Sequence, residues 1–399
     1  MTLSVRRCIL SATLAGSTLS NLISLAHADE PAAPTSVSAL ASLRDRLDRT
    51  STLAVYGDAP YGTTPTDTEQ FVATPAFIDS INADPDVDLV IHVGDIHSGK
   101  QYCTEAYDRS VAALWTQFQD PLVYTPGDNE WSDCHKKAEG GGAYNASTGQ
   151  IDYVLDAMGA PVDSAKGDPV ANLDLVRSIF FAQPGVTLGH RKLVLSQGML
   201  FDPLHRSDAK YVENVIWMQS GVLFATVNVP GGSNNDQDVW YGAPTETSSQ
   251  LTERTERTGA ALRWLELSFG AARLLRAKGI VLVLQADMWD PEKGAEHQQG
   301  YHSIVDTVAR RTRSFRGPVL MLNGDSHVYL SHNPLAAADP LNYIHPGYDV
   351  PNFHRIVVHG STMPLEWLRL TVDPNSDDPE GEFAFGPFSW QREAEPVQP

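Results

Sequence analysis

Short apolar runs followed by a glycine recur along the chain, and longer amphipathic stretches separate several of them. Runs of this length, bounded by glycine, are typical of strands that are buried on both faces. The pattern predicts strands at Thr52–Tyr56, Val87–Val93, Leu122–Thr125, Ile280–Leu284 and Val319–Leu322, with further strands at 222–229, 355–359 and 366–372.

The separating stretches have the periodicity of helices. They cover residues 67–83, 104–118 and 254–277, and Gly279 is placed to end the last of them. Alternation of strands and helices favours an α/β fold with parallel pairing, and the later strands are numerous enough for a second sheet.

The remaining segments define the organisation of the chain. We expect a polar lead-in at 29–49 and one domain over 50–372, with an irregular elaboration at about 138–215 that is rich in glycine and proline. The last segment, 373–399, is predicted to be a loop-like tail.

The amino-terminal segment has the features of a secretory signal. Arg6 and Arg7 precede an uncharged, mostly apolar stretch, and Ala26-His27-Ala28 has the small-x-small form of a cleavage site. We therefore expect residues 1–28 to be removed and the protein to be secreted or periplasmic. The residues leave open whether the general or the twin-arginine route is used, and an uncleaved anchor is the alternative. No membrane span is predicted after cleavage.

The charge balance restricts the class of partner. The 399-residue chain is 42% apolar, which excludes a disordered protein, and its formal net charge is −20. Loss of Arg6 and Arg7 with the signal leaves 27 basic and 49 acidic residues, a charge of −22. Such a chain has no general basic surface for nucleic acid, whereas a local cation can still attract a small phosphate ester.

Two cysteines, Cys103 and Cys134, remain after the signal is removed. In an exported chain a pair of cysteines favours one disulfide. Two free, buried thiols are the alternative. A bridge would tie the segment after the second predicted strand to the segment after the third.

Four of the predicted strands lead into Gly-Asp. Ligands of open α/β sheets bind at the carboxyl ends of strands, where glycine permits a sharp turn and aspartate presents an oxygen. Converged carboxylates repel one another unless a cation lies between them. The Gly-Asp pairs therefore predict a cation site, and they are 57–58, 94–95, 127–128 and 324–325.

The order and spacing of these pairs resemble the motifs of the calcineurin-like metallophosphoesterases. The similarity covers about residues 50–372, and the runs GDIHSG, PGDNEWSDCH and NGDSHVY resemble a secreted bacterial branch of that superfamily. The resemblance implies an α/β sandwich of two sheets flanked by helices. It also implies two metal ions at the strand ends and hydrolysis of phosphate mono- or diesters.

Carried over position by position, the resemblance implies a ligand set. Asp58 and His327 match ligands of the first metal, and Asp95 matches the aspartate that bridges both metals. Asp128 stands where the family has an asparagine ligand of the second metal. Gln285 and Asp325 stand where the family has histidine ligands.

Further departures reduce the imidazole content of the predicted site. Pro60 replaces a histidine of the first motif and Asn129 a catalytic histidine of the third. The resulting oxygen-rich set favours Mg²⁺, Mn²⁺ or Ca²⁺ over a nitrogen-rich iron or zinc site, although His327 leaves room for a transition metal. The lost histidines also leave open a second function, a catalytically degenerate binding protein. A third interpretation treats the aspartate turns as purely structural.

Other residues near the motifs receive supporting roles. His135 and His97 are the candidate proton donors, and Asn129 is a candidate donor to the phosphoryl group. Tyr61, Glu130 and Asp287 are expected to contact or brace the ligands rather than to bind metal directly.

Overall fold

The structure of the protein is a computed structural model, and it describes residues 48–235, 238–376 and 383–394. The predicted signal and most of the lead-in segment therefore lie outside the described residues. The described residues belong to one compact unit. Within them, no helix is both long and apolar enough to cross a membrane.

The strands of the described residues form two seven-stranded sheets and a two-stranded ribbon. In chain order, the strands are β1 (Ser51–Tyr56), β2 (Val87–His92), β3 (Pro121–Tyr124), β4 (Gly142–Asn145), β5 (Gln150–Tyr153), β6 (Leu188–Gly189), β7 (Leu195–Ser196), β8 (Val215–Gln219), β9 (Val222–Thr226), β10 (Gly279–Val283), β11 (Val319–Asn323), β12 (Leu330–His332), β13 (Phe353–Val357), β14 (Glu366–Val372), β15 (Ala384–Phe385) and β16 (Phe388–Ala394).

The helices are α1 (Glu69–Asn82), α2 (Glu105–Trp115), α3 (Pro169–Phe180), α4 (Ser248–Leu275), α5 (Gly294–His297) and α6 (His302–Phe315). Short 3₁₀ turns occupy Lys137–Glu139, Arg206–Lys210, Trp240–Gly242 and Gln298–Tyr301.

Each sheet has a parallel centre. The first sheet has the order β15-β16-β14-β1-β2-β3-β6, and β1, β2 and β3 pair in parallel. The second has the order β12-β13-β11-β10-β9-β8-β7, and β9, β10, β11 and β13 pair in parallel. The predicted parallel α/β architecture is confirmed.

Side-chain alternation along the strands defines three apolar layers. Leu53 and Val55 of β1 pack with Val281 and Val283 of β10 in a core between the two sheets. Residues 54 and 56 point to the opposite face and pack against α1, α2 and α3. The outer face of the second sheet packs against α4 and α6. The result is a two-sheet sandwich flanked by helices, as the resemblance implied.

The predicted loop-like tail at 373–399 is wrong where the structure describes it. β16 pairs with β14 along seven residues and forms a hairpin with β15, so this segment extends the first sheet. Phe388 and Trp390 are buried in the core between the sheets. Only residues 388–390 alternate between apolar and polar, and three polar residues follow, so the local pattern for this strand is weak.

Helix α4 begins six residues before its predicted start. Thr247 caps it by accepting a hydrogen bond from the Gln250 backbone N–H, and the sequence TSSQ has the form of a capping box. The helix ends at Arg276, which adopts the left-handed conformation with φ 56°, rather than at Gly279. Gly279 instead starts β10.

Candidate metal centre

The predicted ligands lie together at one edge of the sandwich. Asp58, Asp95 and Asp128 follow β1, β2 and β3 of the first sheet, and Gln285 and Asp325 follow β10 and β11 of the second. Because the parallel strands of both sheets end at this edge, residues far apart in sequence become neighbours.

Two groups of possible metal ligands share one residue. Asp58, Asp95 and His327 offer atoms that all lie within 4.8 Å of one another, and so do Asp95, Asp128 and Asp325. Asp95 is common to both groups. This is the arrangement expected for two neighbouring ions bridged by one carboxylate.

The backbone is unusual at four of these positions. Asp58, Asp95, Asp325 and His327 have φ values of 50°, 60°, 77° and 64°. Residues other than glycine seldom adopt this left-handed region, and such strain is concentrated at functional sites. The sharp turns direct the side chains towards one another instead of along the strands.

Glycines beside the aspartates allow the loops to approach closely. A Cβ atom on Gly127 would lie 1.9 Å from Asp95 Oδ1, and one on Gly324 would lie 2.4 Å from Asp58 Oδ2. Neither contact is sterically possible, so these positions require glycine.

Gln285 joins the two sheets at the centre. Its side-chain Nε2 donates hydrogen bonds to Asp128 Oδ1 at 3.0 Å and to Asp95 Oδ2 at 3.2 Å, and its Oε1 accepts one from the Gly231 backbone N–H at 2.7 Å. Asp58 Oδ1 accepts a hydrogen bond from the Asp325 backbone N–H at 2.9 Å. Gln285 therefore links Asp95 with Asp128, and Asp325 is linked with Asp58.

Burial makes the carboxylates costly to ionise without a counter-ion. It raises the pKa of Asp58, and it raises the pKa values of Asp95, Asp128 and Asp325 well above their usual range. Neighbouring carboxylates add to the upward shift at Asp95, where Glu130 is the largest of them. A bound cation reverses this balance because it favours the charged form.

Tyr61 and Asn129 lie directly beside Asp95. The Tyr61 hydroxyl donates to Asp95 Oδ2 at 2.8 Å and accepts a hydrogen bond from Asn129 Nδ2 at 3.0 Å. The ring of Tyr61 also packs edge-on against the His327 imidazole. Tyr61 thus contacts Asp95, which both groups share, and His327 of the first group.

Glu130 and Asp287 brace the loops that bear the ligands. Glu130 Oε1 accepts hydrogen bonds from the Gly127 backbone N–H at 2.6 Å and from the hydroxyl of Tyr124. Asp287 accepts one from the Ser326 hydroxyl at 2.8 Å, and its backbone N–H donates to Asp325 Oδ2 at 2.8 Å. Neither residue belongs to the two ligand groups.

Neither of the two candidate proton donors belongs to the two ligand groups. His97 is fully buried against the Tyr107 ring, and His135 Nδ1 accepts a hydrogen bond from the Tyr241 backbone N–H. Burial lowers the pKa of each imidazole to about 4. Both are therefore neutral near pH 7 and poorly suited to donate a proton.

The predicted disulfide between Cys103 and Cys134 is confirmed, with 5.7 Å between the Cα atoms. Both cysteines are buried. The bridge joins the loop that follows Asp95 to the loop that contains Asp128, so it restrains two parts of the candidate metal centre.

Removal of this bridge is expected to destabilise the protein. The closed loop has a sequence separation of 31 residues, and the chain-entropy model gives about 3–4 kcal/mol for a loop of that length. Urea unfolding of a Cys103→Ala/Cys134→Ala double variant measures the change. A loss below about 1 kcal/mol would contradict the assignment of a stabilising role.

His92 is a supporting residue that the sequence analysis missed. It is fully buried, its Nδ1 accepts a hydrogen bond from the Gly94 backbone N–H at 3.1 Å, and its Nε2 lies 2.9 Å from the Ala59 carbonyl oxygen. Burial lowers its pKa to about 4, so it is neutral and can make both contacts. It holds the loops of Asp58 and Asp95 together. Its position at the end of β2, just before Gly94-Asp95, is the feature of the sequence that could have identified this role.

A left-handed turn that starts at Gly231 forms another part of the site. Residues 232–235 all have φ near 60°, and the buried Arg257 donates to the Asn234 carbonyl oxygen at 3.0 Å. A Cβ atom on Gly231 would lie 2.0 Å from Asp128 Oδ2 and 3.2 Å from Asp325 Oδ1. The turn therefore packs against the second ligand group.

Replacement of Gly231 by alanine is expected to weaken metal binding. The new methyl group displaces Asp128, and disturbance of the groups that orient a ligand typically costs about 10–100-fold in affinity. Calorimetric titration with Mn²⁺ measures the loss. Gly270→Ala in α4 is the matched control, since a Cβ atom there contacts nothing within 4 Å. Unchanged Mn²⁺ affinity in Gly231→Ala would contradict the placement of this turn at the site.

Comparison with known proteins gives the family. The sequence model of the calcineurin-like phosphoesterases matches residues 52–329. This match covers more than half of the chain and includes the candidate ligands from Asp58 to His327. The protein belongs to the calcineurin-like phosphoesterase family. No curated protein matches the chain significantly.

Solved structures give a more distant likeness. A purple acid phosphatase from yellow lupin (Lupinus luteus) seeds shares 11% identity, with 88% of this chain and 52% of that chain covered and a TM-score of 0.39. A 5′-nucleotidase from Candida albicans shares 9% identity, with 86% and 50% covered and a TM-score of 0.34. The chain spans about half the length of these structures.

The chemistry of the donor set fits divalent metal ions. Asp58 Oδ2 is buried and accepts no hydrogen bond from the described residues, so it is free to bind a cation. The two groups supply four carboxylates and one imidazole, and Gln285 adds an amide next to them. Oxygen-rich sets of this kind suit hard cations.

Proposed function

We propose that the protein is an exported, metal-dependent phosphoric ester hydrolase that binds two divalent metal ions. The observation that carries the proposal is the sharing of Asp95 by two groups of ligands at the carboxyl ends of the parallel strands. Export is supported by the sequence of residues 1–28 and by the buried disulfide, a bond typical of proteins outside the cytosol.

The proposed residue roles follow from the contacts. Asp58, Asp95 and His327 hold the first ion, and Asp95, Asp128 and Asp325 hold the second. Such a pair of ions supplies Lewis acidity towards a phosphoryl oxygen and lowers the pKa of water at the site. We expect Mg²⁺, Mn²⁺ or Ca²⁺ in preference to Fe or Zn²⁺ because carboxylate oxygens dominate the set.

The chain's own residues orient the reacting groups. Gln285 fixes Asp95 and Asp128 relative to one another, and Tyr61 holds the second oxygen atom of Asp95. The Lys136 ammonium lines the cavity that Asp128 and Asp325 also border. Asp133 and its neighbours raise the pKa of Lys136 above the usual range, so it stays protonated.

A degenerate, non-catalytic binding protein is the second candidate. It is favoured by the absence of a histidine at Asn129, whose amide donates to Tyr61. The two candidates differ in one result, because both bind metal but only the first turns over a phosphate ester.

Hydrolysis assays on the Mn²⁺-loaded protein test the proposal. We expect release of 4-nitrophenol from 4-nitrophenyl phosphate or from its bis(4-nitrophenyl) diester, and loss of this activity when EDTA removes the metal. The relative rates on the two substrates show whether the protein is a monoesterase or a diesterase. Full metal loading without turnover of either substrate would favour the binding protein.

A further inference from the structure

A cavity of about 110 Å³ opens beside the candidate metal centre. Asp128 and Asp325 border it, and its remaining walls come from the segments that follow β3, β9 and β10. A substrate whose phosphoryl group lies at the centre can therefore extend its alcohol portion into this cavity. The side chains that line the cavity therefore determine which alcohol portion binds.

One wall presents donors and acceptors side by side. Lys136 Nζ lies 2.5 Å from Asp133 Oδ2 and 2.9 Å from Asp238 Oδ2, and all three side chains line the cavity. An ammonium group has three N–H donors, so the two carboxylates leave one for a ligand.

The second wall includes a buried acceptor, which belongs to Gln298. Gln298 Nε2 donates to the Asp290 carbonyl oxygen at 3.2 Å, which fixes the orientation of the amide because an amide oxygen would be repelled there. Gln298 Oε1 accepts no hydrogen bond within the part of the chain that the structure describes, and the residue is 1% exposed. A buried acceptor of this kind is stabilised when a ligand or water supplies a donor.

This mixture of groups disfavours a second phosphate and an apolar group. The carboxylates of Asp133, Asp238 and Asp290 repel a second phosphate. An apolar group would cover these charges without hydrogen-bonding to them. Hydroxyl groups both donate and accept, so a group with several hydroxyls matches both walls.

We propose that this cavity binds the sugar portion of a sugar phosphate, which makes sugar phosphates the preferred substrates. The proposal rests on the proposed phosphoesterase function, because the sugar is the leaving group of that reaction. Lys136 donates to one hydroxyl, and Asp290 and Gln298 accept from others.

Binding of two phosphonates that cannot be hydrolysed tests the proposal. One is the methylene phosphonate analogue of glucose 6-phosphate, and the other carries a cyclohexyl ring in place of the sugar. Calorimetry with the Mn²⁺-loaded protein is expected to show about tenfold or tighter binding of the sugar compound, since each well-paired neutral hydrogen bond contributes about threefold to tenfold. Equal binding, or tighter binding of 2-aminoethylphosphonate, would overturn the proposal.

Variants locate the binding to this cavity. Gln298→Leu is expected to reduce the preference for the sugar compound by about 5–10-fold. Gln299→Leu is the matched control because Gln299 is the exposed neighbour, with its Nε2 bonded to the Ala295 carbonyl oxygen. Asp290→Asn is the second variant if Gln298→Leu does not fold. An unchanged preference in a folded Gln298→Leu or Asp290→Asn protein would place the sugar elsewhere.

The binding and turnover assays together distinguish the sugar site from the hydrolase function. Turnover of 4-nitrophenyl phosphate without a sugar preference in binding overturns the sugar site and leaves the hydrolase intact. A sugar preference without turnover of any ester supports the cavity as a sugar site and contradicts the hydrolase.

Discussion

Replacing Asp95 with asparagine is expected to lower kcat/KM for phosphoester hydrolysis by about 1,000-fold or more. Loss of one group that stabilises charge at a reacting centre commonly costs about 10²–10³-fold, and Asp95 serves two groups of ligands at once. Asparagine keeps the size of the side chain and an oxygen for the Tyr61 hydroxyl. The effect therefore reports the lost negative charge, and steady-state assays with 4-nitrophenyl phosphate measure it.

Asp108→Asn is the matched control for this experiment. Asp108 is also a buried aspartate, on α2, but it belongs to neither ligand group. Burial raises the pKa of its carboxyl group well above the usual range, which favours the neutral form that asparagine resembles. We expect Asp108→Asn to retain wild-type activity. Similar activity losses in both variants would show that any buried aspartate matters and would contradict the special role of Asp95.

Replacing Arg355 with methionine is expected to destabilise the fold by about 3–5 kcal/mol, the cost of breaking one side of a buried ion pair. Arg355 in β13 is fully buried, and its guanidinium donates to Asp287 Oδ1 and to His332 Nε2. Burial, and after it the charge of Arg355, lowers the pKa of His332, which favours the neutral imidazole that can accept this hydrogen bond. Loss of the guanidinium leaves Asp287 buried without its counter-charge. Urea unfolding at a fixed metal concentration measures the loss.

Two further variants serve as comparisons for Arg355→Met. Arg109→Met breaks the exposed pair with Glu105 and is expected to cost less than about 1 kcal/mol. The double variant Arg355→Met/Asp287→Asn removes both buried charges and is expected to be more stable than Arg355→Met alone. If Arg355→Met and Arg109→Met destabilise equally, the buried pair has no special contribution.

Repeating local patterns allowed the sequence to predict much of this architecture. A short apolar run that ends in Gly-Asp is a local signal, and four such runs indicated both the parallel strands and the convergence of Asp58, Asp95, Asp128 and Asp325. Both large sheets follow from these runs together with the later strand candidates. The cysteine pair was predictable because only two cysteines remain after the signal segment.

Features that depend on distant contacts were not predictable from the local pattern. The last strand, β16, is stabilised by its pairing with β14, and nothing next to it in sequence marks that partner. The bracing role of His92 depends on Ala59 and Gly94, which belong to the ends of two loops. His97 and His135 were assigned from their closeness to the motifs in sequence. Their side chains instead contact the rings of Tyr107 and Tyr241, and neither belongs to the two ligand groups.

Metal analysis of the purified protein tests the central claim most directly. After loading with Mn²⁺ and removal of free metal, elemental analysis is expected to give about two ions per chain, the number expected for a two-metal hydrolytic site. Asp95→Asn is expected to lose both ions, whereas Asp108→Asn keeps them. A wild-type protein that binds no metal, or an Asp95→Asn protein that retains two ions, would contradict a centre built around Asp95.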